Sequence, residues 1–195
     1  MMHPCPEASR SKIILLNGVG SAGKGAIARA LQAGAQGPVL HVEMDAFFAM
    51  LSPRWQADPE VLSFMPSPGD PGAVEVRTGP AGHRVWSGMR HAAAALADQG
   101  NDLILDDVII DDGEPGTILA EYRTLLASHN LFTVGVFATL ETLEARERAR
   151  GDRQIGLARW QFDRVHRGCR YDLDLATDER TPEDCAREIL AAFPL

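Results

Sequence analysis

The sequence predicts an α/β fold, a five-stranded parallel sheet with helices on both faces. Two observations carry this. Short apolar, β-branched runs alternate along the chain with longer stretches of helical periodicity, the order that βαβ units produce. The first such run leads at once into a glycine-rich loop that opens an amphipathic stretch, a strand–turn–helix junction. With 195 residues, 45% hydrophobic and 24% charged, the chain can bury the core of one ordinary domain spanning residues 1–195.

Residues 1–11 carry two prolines and no apolar centre, so they read as a flexible tail and not as a signal peptide. The first strand is predicted at Lys12–Leu16 (KIILL), whose apolar run from Ile13 to Leu16 suits a strand covered on both faces. A helix follows at Lys24–Ala33 and a second strand at Val39–Val42. Residues 52–84 then break the rhythm, holding six of the twelve prolines together with Gly69, Gly72, Gly79 and Gly82. A segment that long reads as an insertion serving as a lid or binding element. The alternation resumes with a helix at Val85–Gln99, a strand at Leu103–Leu105, a helix at Glu114–Ser128 and a strand at Thr133–Ala138. Helices at Glu141–Ala149 and Leu157–Arg167, a fifth strand at Tyr171–Leu175 and a helix at Pro182–Ala192 complete the pattern. In such a sheet, ligands bind beyond the carboxyl ends of the strands.

Composition excludes several classes. The apolar runs fall far short of the ~18 residues a membrane span needs, which predicts a cytoplasmic protein without membrane contact. Cys5, Cys169 and Cys185 lie far apart, so neither a disulfide framework nor a zinc site is expected. A net charge of −8 argues against nucleic-acid binding. Yet residues 146–170 hold eight of the seventeen arginines and a local charge of +5. Two readings are open for that cluster: a solvated helix face laced with ion pairs, or a clamp for an anion. The sequence specifies no oligomeric state.

The clamp reading has an anion site to match it. Gly18-Val19-Gly20-Ser21-Ala22-Gly23-Lys24-Gly25 fits GxxxxGK between a strand and a helix. Glycines let backbone N–H groups turn inward around phosphate oxygens, the helix N-terminus adds its dipole, and Lys24 reaches the β- and γ-phosphates of ATP. Gly18 to Ala26 are therefore the expected nucleotide-binding residues. One departure matters. The hydroxyl residue expected after the lysine, which would ligate Mg²⁺, is Gly25, with Ala26 next. The metal must be held otherwise, and Asp106 with Asp107, at the end of the third strand, are the expected carboxylates, Asp106 first. The second strand delivers Glu43 and Asp45 beyond its carboxyl end. Asp45 is placed to take the proton of an acceptor hydroxyl, with Glu43 as rival base, although Asp45 could equally N-cap a helix starting at Ala46.

With these residues in view, the chain resembles the chloramphenicol phosphotransferase family of P-loop kinases. The matching motifs are IILLNGVGSAGKG, EMDAFFAML, LILDDVII, ARGDR and HRGCRYDLDLATD. The resemblance implies a P-loop kinase fold with a lid at 146–155 and transfer of the γ-phosphoryl group of ATP to a hydroxyl of a small molecule. It also implies Asp45 as the base, Arg150 and Arg153 as lid arginines over ATP, Arg146 as a weaker candidate, and an adenine-contacting turn at Ala176 and Thr177. His166 and Tyr171 belong to the same motif, with packing roles as readily as catalytic ones.

The resemblance is weakest over 46–84, where the acceptor would be recognised. Phe47, Phe48, Met50, Trp55, Phe64, Met65 and Trp86 are candidates for an aromatic pocket, or for core. A nucleoside monophosphate kinase is the alternative, suggested by the GKG loop, but it needs basic acceptor-side residues and 43–76 offers only Arg54. A nucleotide-binding regulator with little turnover is a third reading.

Overall fold

The computed structural model describes residues 10–151 and 154–195. The chain runs β1 (Lys12–Gly18), α1 (Lys24–Gly34), β2 (Val39–Glu43), α2 (Met44–Ala49), α3 (Pro53–Gln56), β3 (Leu62–Pro66), β4 (Val74–Thr78) and α4 (Pro80–Asp98). It continues through β5 (Asp102–Asp107), α5 (Thr117–Leu125), β6 (Asn130–Phe137), α6 (Leu140–Arg150), α7 (Leu157–Phe162), β7 (Leu173–Ala176) and α8 (Pro182–Ala192). The five expected strands form one parallel sheet in the order β2-β5-β1-β6-β7.

The unbroken KIILL run is explained by what lies on each side. Ile14 and Leu16 pack with Ile27 and Leu31 of α1 and Ile189 of α8. Ile13 and Leu15 face the other way, onto Met89 and Ala93 of α4 and Leu119 and Tyr122 of α5. Strand residues alternate faces, so a central strand with helices above and below is apolar on both faces along Ile13–Leu16. Because β5 and β6 flank β1 on opposite sides, a crevice opens where the chain leaves β1.

Several expectations change. Ser11 is no part of a loose tail: it is buried, and its hydroxyl donates to Ala97 O at 2.8 Å. The rest of that expected tail, apart from the exposed Arg10, lies outside the described residues. Helix α4 begins at Pro80, inside the supposed insertion, because proline lacks only an N–H that the first helical turn does not use. The segment before it is an antiparallel hairpin, with Leu62 opposite Thr78 and Phe64 opposite Val76. Helix α7 is shorter than expected, ending at Phe162, with turns carrying the chain to Gly168 at φ 70°. Among the described residues, no helix is long and apolar enough to cross a membrane.

Candidate active site

Strand β1 ends at Gly18, and the loop that follows is wound tightly. Gly23 has φ 98°, and Ser21, at φ 68°, is the described non-glycine residue held in the left-handed region. Such a conformation costs an L-residue about 1–2 kcal/mol, strain of the kind phosphate-binding nests carry. Lys24 is buried, with Nζ donating to Gly18 O at 2.9 Å and Val19 O at 3.3 Å, and standing 3.6 Å from Asp106 Oδ1. The lysine is thus folded over its own loop. Gly20 N donates to the Gln161 side-chain oxygen of α7 at 2.8 Å.

A cavity of about 640 Å³ lies over this loop, lined by Gly20, Ser21, Gly23 to Ala26, Arg29, Glu43, Asp45 and Asp106, and roofed by Arg146 and Arg150. A second cavity, about 490 Å³ and mostly apolar, adjoins it. Hairpin residues Leu62, Phe64 and Val76 form one wall of the second cavity, and Phe48, Trp86 and Trp160 others. Asp45, Met44, Val108, Leu157 and Gln161 line both cavities. Of the predicted aromatic candidates, Phe48, Phe64 and Trp86 face the second cavity. Phe47 packs against the α4 side of the core, and Met50, Trp55 and Met65 are exposed.

Asp45 lies in the first turn of α2, whose N-cap is Glu43, so the helix starts two residues earlier than the capping alternative assumed. The carboxylates at the end of β5 point to opposite faces. Asp106 faces Lys24; burial pushes its carboxyl up, while Lys24 and His41 pull it back. Asp107 lines the apolar cavity instead, accepting from Tyr122 Oη at 2.8 Å and Val108 N at 2.8 Å. Burial raises its pKa, opposed by those hydrogen bonds. Of the two expected metal ligands, Asp106 lines the phosphate-side cavity and Asp107 does not.

Arg146 Nη1 donates to the Thr177 hydroxyl at 3.0 Å and Nη2 to Thr177 O at 2.7 Å. The Thr177 hydroxyl in turn lies 3.0 Å from Ala22 O, so Thr177 is buried behind the phosphate loop and braces it. The arginine cluster divides. Arg146 and Arg150 line the cavity, whereas Arg148 and Arg159 both pair with Glu144. Arg153 lies outside the described residues. Glu147, counted by charge alone in the sequence, is buried and accepts from Gly156 N and Ala158 N, holding the start of α7.

His166 and Tyr171 form a structural chain: Asn17 Nδ2 donates to Tyr171 Oη at 2.7 Å, and Tyr171 Oη lies 2.8 Å from His166 Nδ1. Asn17 also accepts from Ile109 N, tying β1 to the loop after β5. Sequence reasoning missed Gln161, Arg29, His41 and Arg90. Arg90, from α4, lines the apolar cavity with Nε 2.9 Å from Glu121 Oε2, an ion pair without hydrogen-bond alignment. Its sole sequence signal is an arginine on the apolar face of an amphipathic helix.

The family model described as chloramphenicol phosphotransferase-like protein matches residues 11–194. A Mycobacterium tuberculosis H37Rv protein named "Putative O-phosphotransferase" is 31% identical over 189 residues, spanning 93% of this chain and 82% of the relative. Among solved structures, the Deinococcus radiodurans tunicamycin resistance protein superposes with a TM-score of 0.59 at 22% identity, covering 95% of this chain and 97% of that one. The Mycobacterium tuberculosis APS kinase in complex with AMPPNP and APS gives a TM-score of 0.56 at 19% identity, covering 93% and 96%. These two share the fold.

Proposed function

Given that the chain belongs to the chloramphenicol phosphotransferase-like family, we propose that it moves the γ-phosphoryl group of ATP to a hydroxyl of a small, largely apolar molecule. One observation supports this above others: Asp45 lines both the cavity over the phosphate loop and the apolar cavity beside it. A carboxylate on a shared wall can meet an acceptor hydroxyl entering from one side as the phosphoryl group arrives from the other.

In this reading, loop N–H groups and the α1 N-terminus bind the phosphates, and Lys24 leaves Gly18 O and Val19 O to meet the β- and γ-oxygens. Asp45 accepts the acceptor's proton as the new P–O bond forms and the bond to the ADP oxygen breaks. Arg150, with Arg153, offsets negative charge on the transferring group. A divalent cation would neutralise the phosphate charge. The donor set partly fits Mg²⁺: Asp106 supplies an oxygen within the phosphate-side cavity, and Gly25 and Ala26 supply none.

The acceptor cavity disfavours an acceptor that is itself a phosphate. Its ionisable lining includes Asp45, Asp107, Asp111, Asp112 and Glu114 against Arg90 and His83, an acidic balance. A coupled assay of ADP release over hydroxylated antibiotics, nucleosides and sugars, chloramphenicol included, tests the proposal, with mass spectrometry of the product. An acceptor gaining one phosphoryl group is the expected result. ATP binding without phosphorylation of any acceptor would favour the regulator reading.

A further inference from the structure

We propose that His41, Glu43 and Asp106 form a divalent-cation site of mixed imidazole and carboxylate donors, one that prefers manganese-type ions to magnesium. It stands in for the hydroxyl that the phosphate loop lacks. Its role in catalysis rests on the kinase reading; its existence does not.

The site is built by strands. His41 and Glu43 are two residues apart in β2 and so share a face, and the register sets Glu43 directly opposite Asp106 of β5. His41 Nε2 lies 3.8 Å from Glu43 Oε2 and 3.9 Å from Asp106 Oδ2, and one donor atom from each residue falls within 4.8 Å of the others. Nε2 is buried and has no hydrogen-bond partner. A buried polar atom left unpaired costs free energy, and no described group of the protein relieves it. An ion in the gap would.

The two oxygens of Asp106 are already divided. Oδ1 faces Lys24 Nζ at 3.6 Å, which leaves Oδ2 toward His41. A Cβ at Gly25 would stand 3.5 Å from that same Oδ2. The position where a P-loop hydroxyl residue would begin therefore adjoins the cluster. Two donors ~2.2 Å from one octahedral ion lie ~3 Å apart when cis, so the two separations from His41 need to close by less than about 1 Å, and that between the carboxylates, within 4.8 Å, by less than about 2 Å. Glu43, 40% exposed at its side chain, has the freedom to do so.

The donor set decides the ion. Magnesium takes oxygen donors in strict octahedral geometry, whereas imidazole suits transition ions, which bind such sites more tightly than magnesium does. The competing arrangement is a protonated His41 held between two carboxylates, which needs no metal.

Titration of the full chain with Mn²⁺, without nucleotide or acceptor, separates the two. Loss of the free-ion electron paramagnetic resonance signal, with calorimetry, should show one saturable site per chain, and Mg²⁺ should compete at least ~10-fold less well. His41→Gln and Glu43→Gln should each weaken Mn²⁺ by ~10-fold or more, while Asp45→Asn, two residues beyond Glu43, should change it by less than ~3-fold. Thermal melts establish that the variants fold, and the partly exposed Glu43 provides the test if His41→Gln does not. Absence of a saturable Mn²⁺ site, equal affinity for Mg²⁺, or binding unchanged in the folded variants would overturn the proposal. Failure of the kinase reading would look different: Mn²⁺ bound as described, with no phosphorylated product from any acceptor.

Discussion

The side-chain oxygen of Gln161 accepts the backbone N–H of Gly20 at 2.8 Å, so helix α7 occupies a donor that the phosphate loop would turn toward a phosphate. In the mode proposed above, the amide oxygen stands where a phosphate oxygen would bind. Nucleotide binding in the mode proposed here has to displace it, which links α7, a wall of both cavities, to the state of the loop.

Gln161→Met keeps the length of the side chain and removes the competing oxygen. A hydrogen bond of this kind is worth ~1 kcal/mol, so ATP should bind up to ~5-fold more tightly while the melting temperature of the free protein falls. Calorimetry with a non-hydrolysable ATP analogue checks this; unchanged or weaker binding would show that Gln161 does not compete.

Lys24→Met should abolish transfer and weaken ATP by ~10-fold or more. The chain's other lysine, Lys12, is at the opposite end of β1, and the loop has no second ammonium to offer the phosphates. Nucleotide titration and single-turnover assays read the two effects separately.

Asp45→Asn preserves shape and removes the ability to accept a proton, so kcat should fall by ~10²- to 10⁴-fold with ATP affinity kept. Glu43→Gln should act differently, shifting the divalent-ion requirement more than the rate at saturating metal. Comparing kcat and metal titrations of the two variants distinguishes base from ligand.

Gly25→Ser should be accommodated. The added Cβ would meet Asp106 Oδ2 at 3.5 Å and Arg29 Nη1 at 3.6 Å, ordinary contacts in the first turn of α1. It introduces the missing oxygen beside Asp106, so the Mg²⁺ concentration for half-maximal activity should fall by several-fold. A lowered melting temperature would mean that the turn cannot take a side chain.

Burial holds the His166 imidazole down at about 4, helped by the Lys24 charge and opposed by Asp174. In the unfolded chain it titrates near 6.5. As pH falls between these values the unfolded state gains a proton that the folded state does not, so stability drops across the window. Melting temperatures from pH 7 to 5 should therefore decline less steeply in His166→Gln than in the parent.

Much of this molecule is legible in one dimension. The five strands follow from short apolar runs, because burial on two faces leaves no polar position from Ile13 to Leu16. The tight turn between β1 and α1 follows from glycine spacing, and the placing of Asp45 just beyond β2 and of Asp106 near the end of β5 follows from where those strands stop. These are local properties, set by backbone freedom and by periodicity over a few residues.

Tertiary structure alone decided which side chains meet. Proline and glycine made residues 62–78 look like loop, yet cross-strand pairing and the apolar cavity beneath Leu62, Phe64 and Val76 order them as a hairpin. Asp106 and Asp107 are neighbours in sequence and were expected to share a metal; the pleat sends one to Lys24 and the other to Tyr122. Gln161 reaches Gly20 across 141 positions, and His41 meets Asp106 through strand register. A sequence pattern reports that a residue is buried or polar. Only the packing of distant elements fixes the atom it faces, and the chemistry of the site depends on that atom.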